Sequence, residues 1–232
     1  MKYELRTNGR ADYSKASKDR TMLLRATPFG DIYINPNPLR QGTSKLHNIY
    51  TFDLLPGVTC PDNEACINGC YALNGQRTRP DVYNMRAIHT YMAKYQPNLL
   101  IAMLNDSIKE LPKGSIIRPH ASGDFFDGKY AKMWYQLMTV YLDTMFYTYT
   151  KSKNVHIAKM NCLSNVNIIP STEPFDGKNF APLAQVLAFL GSKEGKGWIV
   201  CPATLDSGLK CGLDCSYCLK KGNKNVVFVQ HR

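Results

Sequence analysis

Seven of the eight cysteines fall into two groups, and only Cys162 stands apart. Cys60, Cys66 and Cys70 make a C-x5-C-x3-C run inside L-L-P-G-V-T-C-P-D-N-E-A-C-I-N-G-C-Y-A-L-N (54–74). Cys201, Cys211, Cys215 and Cys218 follow near the end of the sequence. Thiolates ligate zinc and iron–sulfur clusters. Four of them within 18 residues are enough to close a tetrahedral zinc site or to hold a fully ligated cluster. Gly208 and Gly212 let the backbone fold tightly there. Three thiolates leave one coordination position open: an iron free to bind substrate or cofactor, or a zinc that takes water or a histidine. The nearest histidines in sequence are His89 and His120. The competing reading is that the triplet completes a single structural site with the terminal set.

S-G-D-F-F (122–126) is the next chemical cluster. Ser122 and Gly123 offer a turn whose backbone N–H groups suit a carboxylate or phosphate. Asp124 could act as general base, nucleophile or anchor for a cationic amine, whereas Asp127 reads as a helix cap. Arg118 and His120 flank the preceding strand end, and strict alternation would point both to one face. Y-T-K-S (149–152) brings Lys151 and Ser152 to another strand end. The candidate catalytic set is Asp124, His120 and Lys151. The candidate cofactor-binding set is Ser122, Gly123, Asp124, Phe125, Arg118 and Ser152. Tyr71, Tyr147 and Tyr149 sit beside the clusters, where a base could stack.

These residues need elements to position them. I-Y-T-F-D-L-L (49–55) alternates and ends at Pro56-Gly57, which is a strand and a turn. A helix starts at 79–81 with Asn84, Ala87, Ile88, Tyr91, Met92 and Tyr95 at helical spacing. After Gln96-Pro97 a second helix carries Leu100, Met103, Leu104 and Ile108 on one face. S-I-I-R-P-H (115–120) is a short buried strand, and Tyr130, Met133, Trp134, Leu137, Met138 and Tyr141 stripe the next helix. Strands at 145–150, 165–170, 197–201 and 225–230 and a helix around 181–190 complete the pattern. About six strands separated by helices imply parallel pairing and right-handed crossovers. The expected fold is α/β, a partial or full β/α barrel of about six parallel strands, with a doubly wound open sheet as the competitor. In either, chemistry gathers at the carboxyl ends of the strands. Residues 1–46 read as an irregular N-terminal arm packed on the body, with one hairpin at T-P-F-G-D-I-Y-I-N-P. Residues 47–232 read as one catalytic domain carrying both cysteine clusters.

Composition narrows the partners. Lys and Arg number 29 against 18 Asp and Glu, a net +11 that favours a polyanion and so a nucleic acid, DNA or RNA. No apolar run approaches the roughly 18 residues that cross a bilayer, and the polar start lacks a signal-peptide core. The expected location is cytoplasmic, with no membrane partner. Reduced thiols or metal ligands are then expected rather than disulfides.

The ordered motifs C-P-x4-C-x3-C-Y-A, R-x-H-x-S-G-D-F-F-x3-Y-x3-W, Y-T-K-S and C-P with C-G-x2-C-x2-C resemble a phage family named after gene eighty-eight of a mycobacteriophage. The resemblance spans roughly residues 45 to 220 and implies little about activity. A cysteine loop after the first strand, S-G-D after the second and T-K after the third are also similar to radical S-adenosylmethionine enzymes, notably the spore photoproduct lyase branch. That likeness implies a [4Fe–4S] cluster on Cys60, Cys66 and Cys70, with Ser122, Gly123 and Asp124 at the amine of S-adenosylmethionine. The superfamily's usual spacing is C-x3-C-x2-C, which here occurs only in C-G-L-D-C-S-Y-C (211–218). The other likeness is to tRNA-guanine transglycosylases and their phage relatives that insert 7-deazaguanine bases into DNA. It implies Asp124 as nucleophile and zinc on one cysteine set. The expected function is thus a phage-type metalloenzyme modifying nucleic acid or a nucleotide base by radical chemistry at an open cluster. The alternatives are the zinc-containing transglycosylase and a non-catalytic, metal-stapled nucleic-acid binder.

Overall fold

The structure is a computed structural model that describes residues 22–28, 30–42, 46, 48–61, 64–73, 79–171, 174–175, 180–206, 208–223 and 225–230. The arm at 1–21 lies outside the described residues. The first described element is a hairpin, β1 (Met22–Thr27) against β2 (Gly30–Ile34), turned at Gly30 with φ +83°. Ile32, Ile34 and Leu39 are buried in the main core.

The site is positioned by a five-stranded sheet in the order β3-β4-β5-β6-β7. These strands are β3 (Arg40–Gln41), β4 (Ile49–Phe52), β5 (Ile116–Pro119), β6 (Met145–Thr150) and β7 (Val166–Pro170). β3 is antiparallel to β4, and the other neighbours are parallel. Pro80 opens helix α2 (Pro80–Tyr95), where its missing N–H costs nothing, and Pro97 forces the break into α3 (Pro97–Lys109). A short helix, α1 (Glu64–Asn68), precedes them inside the cysteine loop. Asp127 caps α4 (Gly128–Val140) by accepting from Tyr130 N at 2.8 Å. Asn154 does the same for α5 (Val155–Met160) through His156 N at 2.9 Å. Because each parallel strand is added beside the last in chain order, right-handed crossovers carry α2 to α5 to one face of the sheet. The core lies between, around Phe52, Trp134 and Phe146, all sealed from solvent.

The expected barrel of about six parallel strands is not the fold. Only four strands of the main sheet run parallel, and β3 and β7 remain edges. The strands anticipated at 197–201 and 225–230 do not extend that sheet. Cut down to β9 (Ile199–Val200) and β10 (Val226–Val229), they join β8 (Phe180–Ala181) in a separate sheet of order β8-β10-β9, with β10 in the middle. That unit has its own small core of Phe175, Ala181, Val186 and Val227, with α6 (Leu183–Leu190) across it. The face of the main sheet opposite the helices is covered instead by the C-terminal segment. Tyr149 of β6 meets Phe228 edge-on at 5.4 Å, and Asn167 of β7 donates to the carbonyls of Cys218 and Asn223 at 2.9 and 3.1 Å. No described helix is long and apolar enough to cross a membrane.

Two buried histidines make the fold acid-sensitive. His89 stacks on Phe52 at 4.6 Å with Nδ1 on the Asp53 carbonyl, and burial lowers it to about 4. His120 sits edge-on to Phe125 with Nε2 2.8 Å from the Tyr130 hydroxyl, and burial lowers it to about 3. Both are neutral when folded, so the unfolded chain binds more protons below about 6.5. Their contribution is complete above that value and is lost as pH falls from there towards about 4 and 3. Thermal unfolding followed across this window is expected to show a smaller fall in midpoint for His89→Gln than for the unaltered chain; parallel falls would contradict the assignment.

A candidate site at the carboxyl ends of the parallel strands

The cysteine loop begins where β4 ends, at Asp53. One Asp53 carboxylate oxygen accepts from Ser122 N at 3.0 Å, and the other lies 3.5 Å from the Arg86 guanidinium. Leu54 N donates to the Ser122 carbonyl and Ser122 Oγ to the Leu54 carbonyl, both at 2.9 Å. Arg86 Nη1 also reaches the Ala72 carbonyl at 3.0 Å, and the Tyr71 hydroxyl donates to the Ala121 carbonyl. Both ends of the loop that carries Cys60, Cys66 and Cys70 are therefore fastened to the S-G-D turn after β5. Asp53 and Arg86 escape a motif search. Their only sequence signal is an acid at the end of an apolar strand and a base on a helix face that ought to be buried.

Gly123 is where the two loops touch. Its φ is +82°, and a Cβ there would stand 2.6 Å from Thr59 Oγ1 and 2.7 Å from Leu54 Cβ. Gly123→Ala is accordingly expected to cost about 2 kcal/mol in denaturant unfolding, from strain and overlap together; a cost near zero would show that the loops can part freely.

Asp124 is buried and fully engaged. Oδ1 accepts from Phe125 N at 2.7 Å and Thr150 Oγ1 at 2.5 Å, while Oδ2 accepts from Lys151 N at 2.8 Å. Burial pushes its carboxyl above the ordinary range, and these donors pull it back. Its role in the geometry is to latch the turn after β5 to the end of β6. Phe125 packs in the core at 1% exposure. Ser152 N is held by Thr150 Oγ1 at 3.0 Å.

Arg118 and His120 do not share a face, contrary to the alternation expected of them. His120 has φ +59°, which breaks the extended path and turns its ring among Phe125, Tyr130 and Trp134. Arg118 stays on the opposite side, with its guanidinium 5.9 Å from the Tyr147 ring centre and 5.3 Å from that of Tyr149. The placement of His89 and His120 in the core, each with a ring nitrogen engaged, removes them as fourth ligands to the three-thiol loop.

The terminal cysteines come to the same edge from the other side. Cys201 follows β9, Cys211 and Cys215 bracket a tight turn at Gly212 (φ +85°) closed by Gly212 N on the Cys215 carbonyl at 2.9 Å, and Cys218 Sγ is 2.7 Å from the Tyr149 hydroxyl. Burial pushes the Cys218 and Cys60 thiols up to about 11 in each case, with the neighbouring thiols of each set acting in the same direction. Tyr149 thus touches Cys218 at its hydroxyl and Arg118 at its ring, and Arg118 is within electrostatic reach of Tyr71, next to Cys70. The cysteines are thiols and not disulfides, and in the mouth at this edge Arg118 lies between Tyr71, which follows Cys70, and Tyr149, whose hydroxyl meets Cys218. Among the described residues no group of three or more His, Cys, Asp or Glu side chains is already arranged to hold a metal ion.

The family described as Gene product 88 matches residues 34–188, which take in β4 to β7, the three-cysteine loop and Arg118 and end before the terminal cysteines. Gene 88 protein of Mycobacterium phage D29 is 28% identical over 131 residues, covering 51% of this chain and 53% of that protein. The chain therefore spans about half the length of that relative. No solved structure matches.

Proposed function

Since the chain belongs to the Gene product 88 family of phage proteins, and since the matched segment carries the three-cysteine loop and Arg118, we propose that it is a metal-dependent enzyme acting on nucleic acid or a nucleotide. One observation carries the reading: seven thiols in two sets at the carboxyl edge of the parallel strands, on either side of a guanidinium walled by tyrosines. Metal binding requires thiolates, and a bound cation supplies the charge that deprotonates a buried thiol. The terminal set has the ligand count of a closed site. The loop set, one ligand short, is where an iron–sulfur cluster would keep a position open for substrate or cofactor. The net charge of +11 supports a phosphorylated substrate.

Two features bear on the chemistry. The Ser122 and Asp124 side chains are bonded within the chain, which supports a positioning role for the turn over direct attack by the carboxylate. Radical chemistry with S-adenosylmethionine is the finer form of the proposal. Protein purified anaerobically is expected to be brown, to contain iron and sulfide, and to release methionine and 5′-deoxyadenosine from S-adenosylmethionine under strong reductant. Colourless protein with zinc as its only metal would overturn the iron–sulfur form, and a full iron complement with no such release would overturn the radical form.

A further inference from the structure

Arg118 carries a charge that no ion pair among the described residues neutralises. Its Nε is buried with no hydrogen-bond partner, and among the described residues no carboxylate comes within ion-pair distance of its guanidinium. The nearest acid, Asp53, is already bound to Arg86 at 3.5 Å and to Ser122 N at 3.0 Å. Two cations thus share one anion at the mouth, and a sheltered guanidinium without a counter-charge is costly unless a ligand supplies one. The Tyr147 and Tyr149 rings hold the guanidinium from one side, and Tyr147 also takes one of its side-chain hydrogen bonds, while Nε keeps its donor unused. A planar fork held in this way suits the bidentate pairing that arginine makes with phosphate oxygens. Beside it Tyr71 is 62% exposed as a residue while its hydroxyl is tied to the Ala121 carbonyl. An exposed ring with an anchored tip is a rigid platform on which a base can stack.

We propose that Arg118 and Tyr71 form a nucleotide subsite, with a phosphate paired to the Arg118 guanidinium and the base laid on the exposed face of Tyr71. The inference deepens the reading of this mouth as the substrate end and names the part of the substrate that it grips. Tyr147 and Tyr149 orient the arginine and do not touch the ligand. The three-thiol loop, which runs directly into Tyr71, then lies beside the bound nucleotide.

Calorimetric titration of the full-length protein tests this with guanosine 5′-monophosphate, guanosine, inorganic phosphate and a short single-stranded oligonucleotide. The monophosphate is expected to bind at least about tenfold more tightly than the nucleoside. Arg118→Gln should weaken it by roughly 30-fold, and Arg118→Lys, which keeps the charge and loses the fork, by less. Tyr71→Ala should cost the monophosphate roughly five- to tenfold and leave inorganic phosphate unchanged. Arg118-dependent binding of the mononucleotide points to a free nucleotide, and the same dependence confined to the oligonucleotide points to a polymer; either supports the subsite. Equal affinity of the unaltered protein for guanosine and its monophosphate, or Arg118→Lys and Arg118→Gln proteins that bind every probe as the unaltered chain does, would overturn it. Titrating both as-purified and chelator-treated protein separates the two proposals. Arg118-dependent binding by protein that carries no metal as purified without oxygen would sink the metal reading and leave the subsite standing, and loss of that binding after chelation alone would tie the subsite to the metal.

Discussion

Asp124→Asn is expected to destabilise the protein by about 2–3 kcal/mol, because it turns a buried carboxylate with three donors into an amide whose NH2 faces one of them. The carboxylate receives Phe125 N, Thr150 Oγ1 and Lys151 N within 2.8 Å, and it joins the ends of β5 and β6 across the mouth. An amide can keep the donors on one oxygen and must repel the other. Thr150→Val removes one donor. In a double-mutant cycle the pair should therefore couple by on the order of 1 kcal/mol, and the doubly changed chain should lose less than the two single losses combined. Denaturant unfolding of the four proteins measures this. If Asp124→Asn abolished activity while leaving stability within a few tenths of a kcal/mol of the unaltered chain, the residue would be acting on substrate, as the transglycosylase likeness implies, and the latch would be wrong.

The second large effect concerns the thiols. Changing Cys60, Cys66 and Cys70 to serine is expected to empty the loop site and leave the terminal set loaded. Changing Cys201, Cys211, Cys215 and Cys218 should do the reverse. It should also loosen the C-terminal segment on the tyrosine face of the sheet, because the Cys218 Sγ contact to the Tyr149 hydroxyl is lost while the Asn167 bond to the backbone carbonyl at 218 remains. Elemental analysis per chain reads the first effect and limited proteolysis the second. The expected result is that each replacement removes its own metal and no more. Should either replacement strip all the metal, the seven thiols would serve a single shared site, and the open position proposed at the loop would not exist.

The elements that hold this mouth were largely legible in the residues. Apolar spacing and the prolines at 80 and 97 place α2 and α3, and the stripe from Tyr130 to Met138 places α4, because burial of one helix face leaves a 3.6-residue trace. α5 leaves none: six residues behind an Asn154 cap are too short for a stripe to repeat. The barrel went astray at 197–201 and 225–230, where alternation marks a strand but says nothing of its partner. Those segments pair with each other, and the second with β8, rather than with β7. The order of the strands put the S-G-D turn beside the three-cysteine loop. It could not show that one positive φ at His120 would send that ring into the core and leave Arg118 alone with the tyrosines. Nor could it show Asp53, an acid that looks like one polar step of an alternating strand and in fact ties Arg86 to the turn at Ser122.

The most direct measurement is X-ray absorption at the metal edge of the full-length protein purified without oxygen. Sulfur neighbours are expected at about 2.3 Å from the metal, the distance of thiolate ligation, together with a short metal–metal distance if the loop carries a cluster. A protein whose metal has only nitrogen and oxygen neighbours, or that carries no metal at all, would contradict a thiolate-held metal at this mouth.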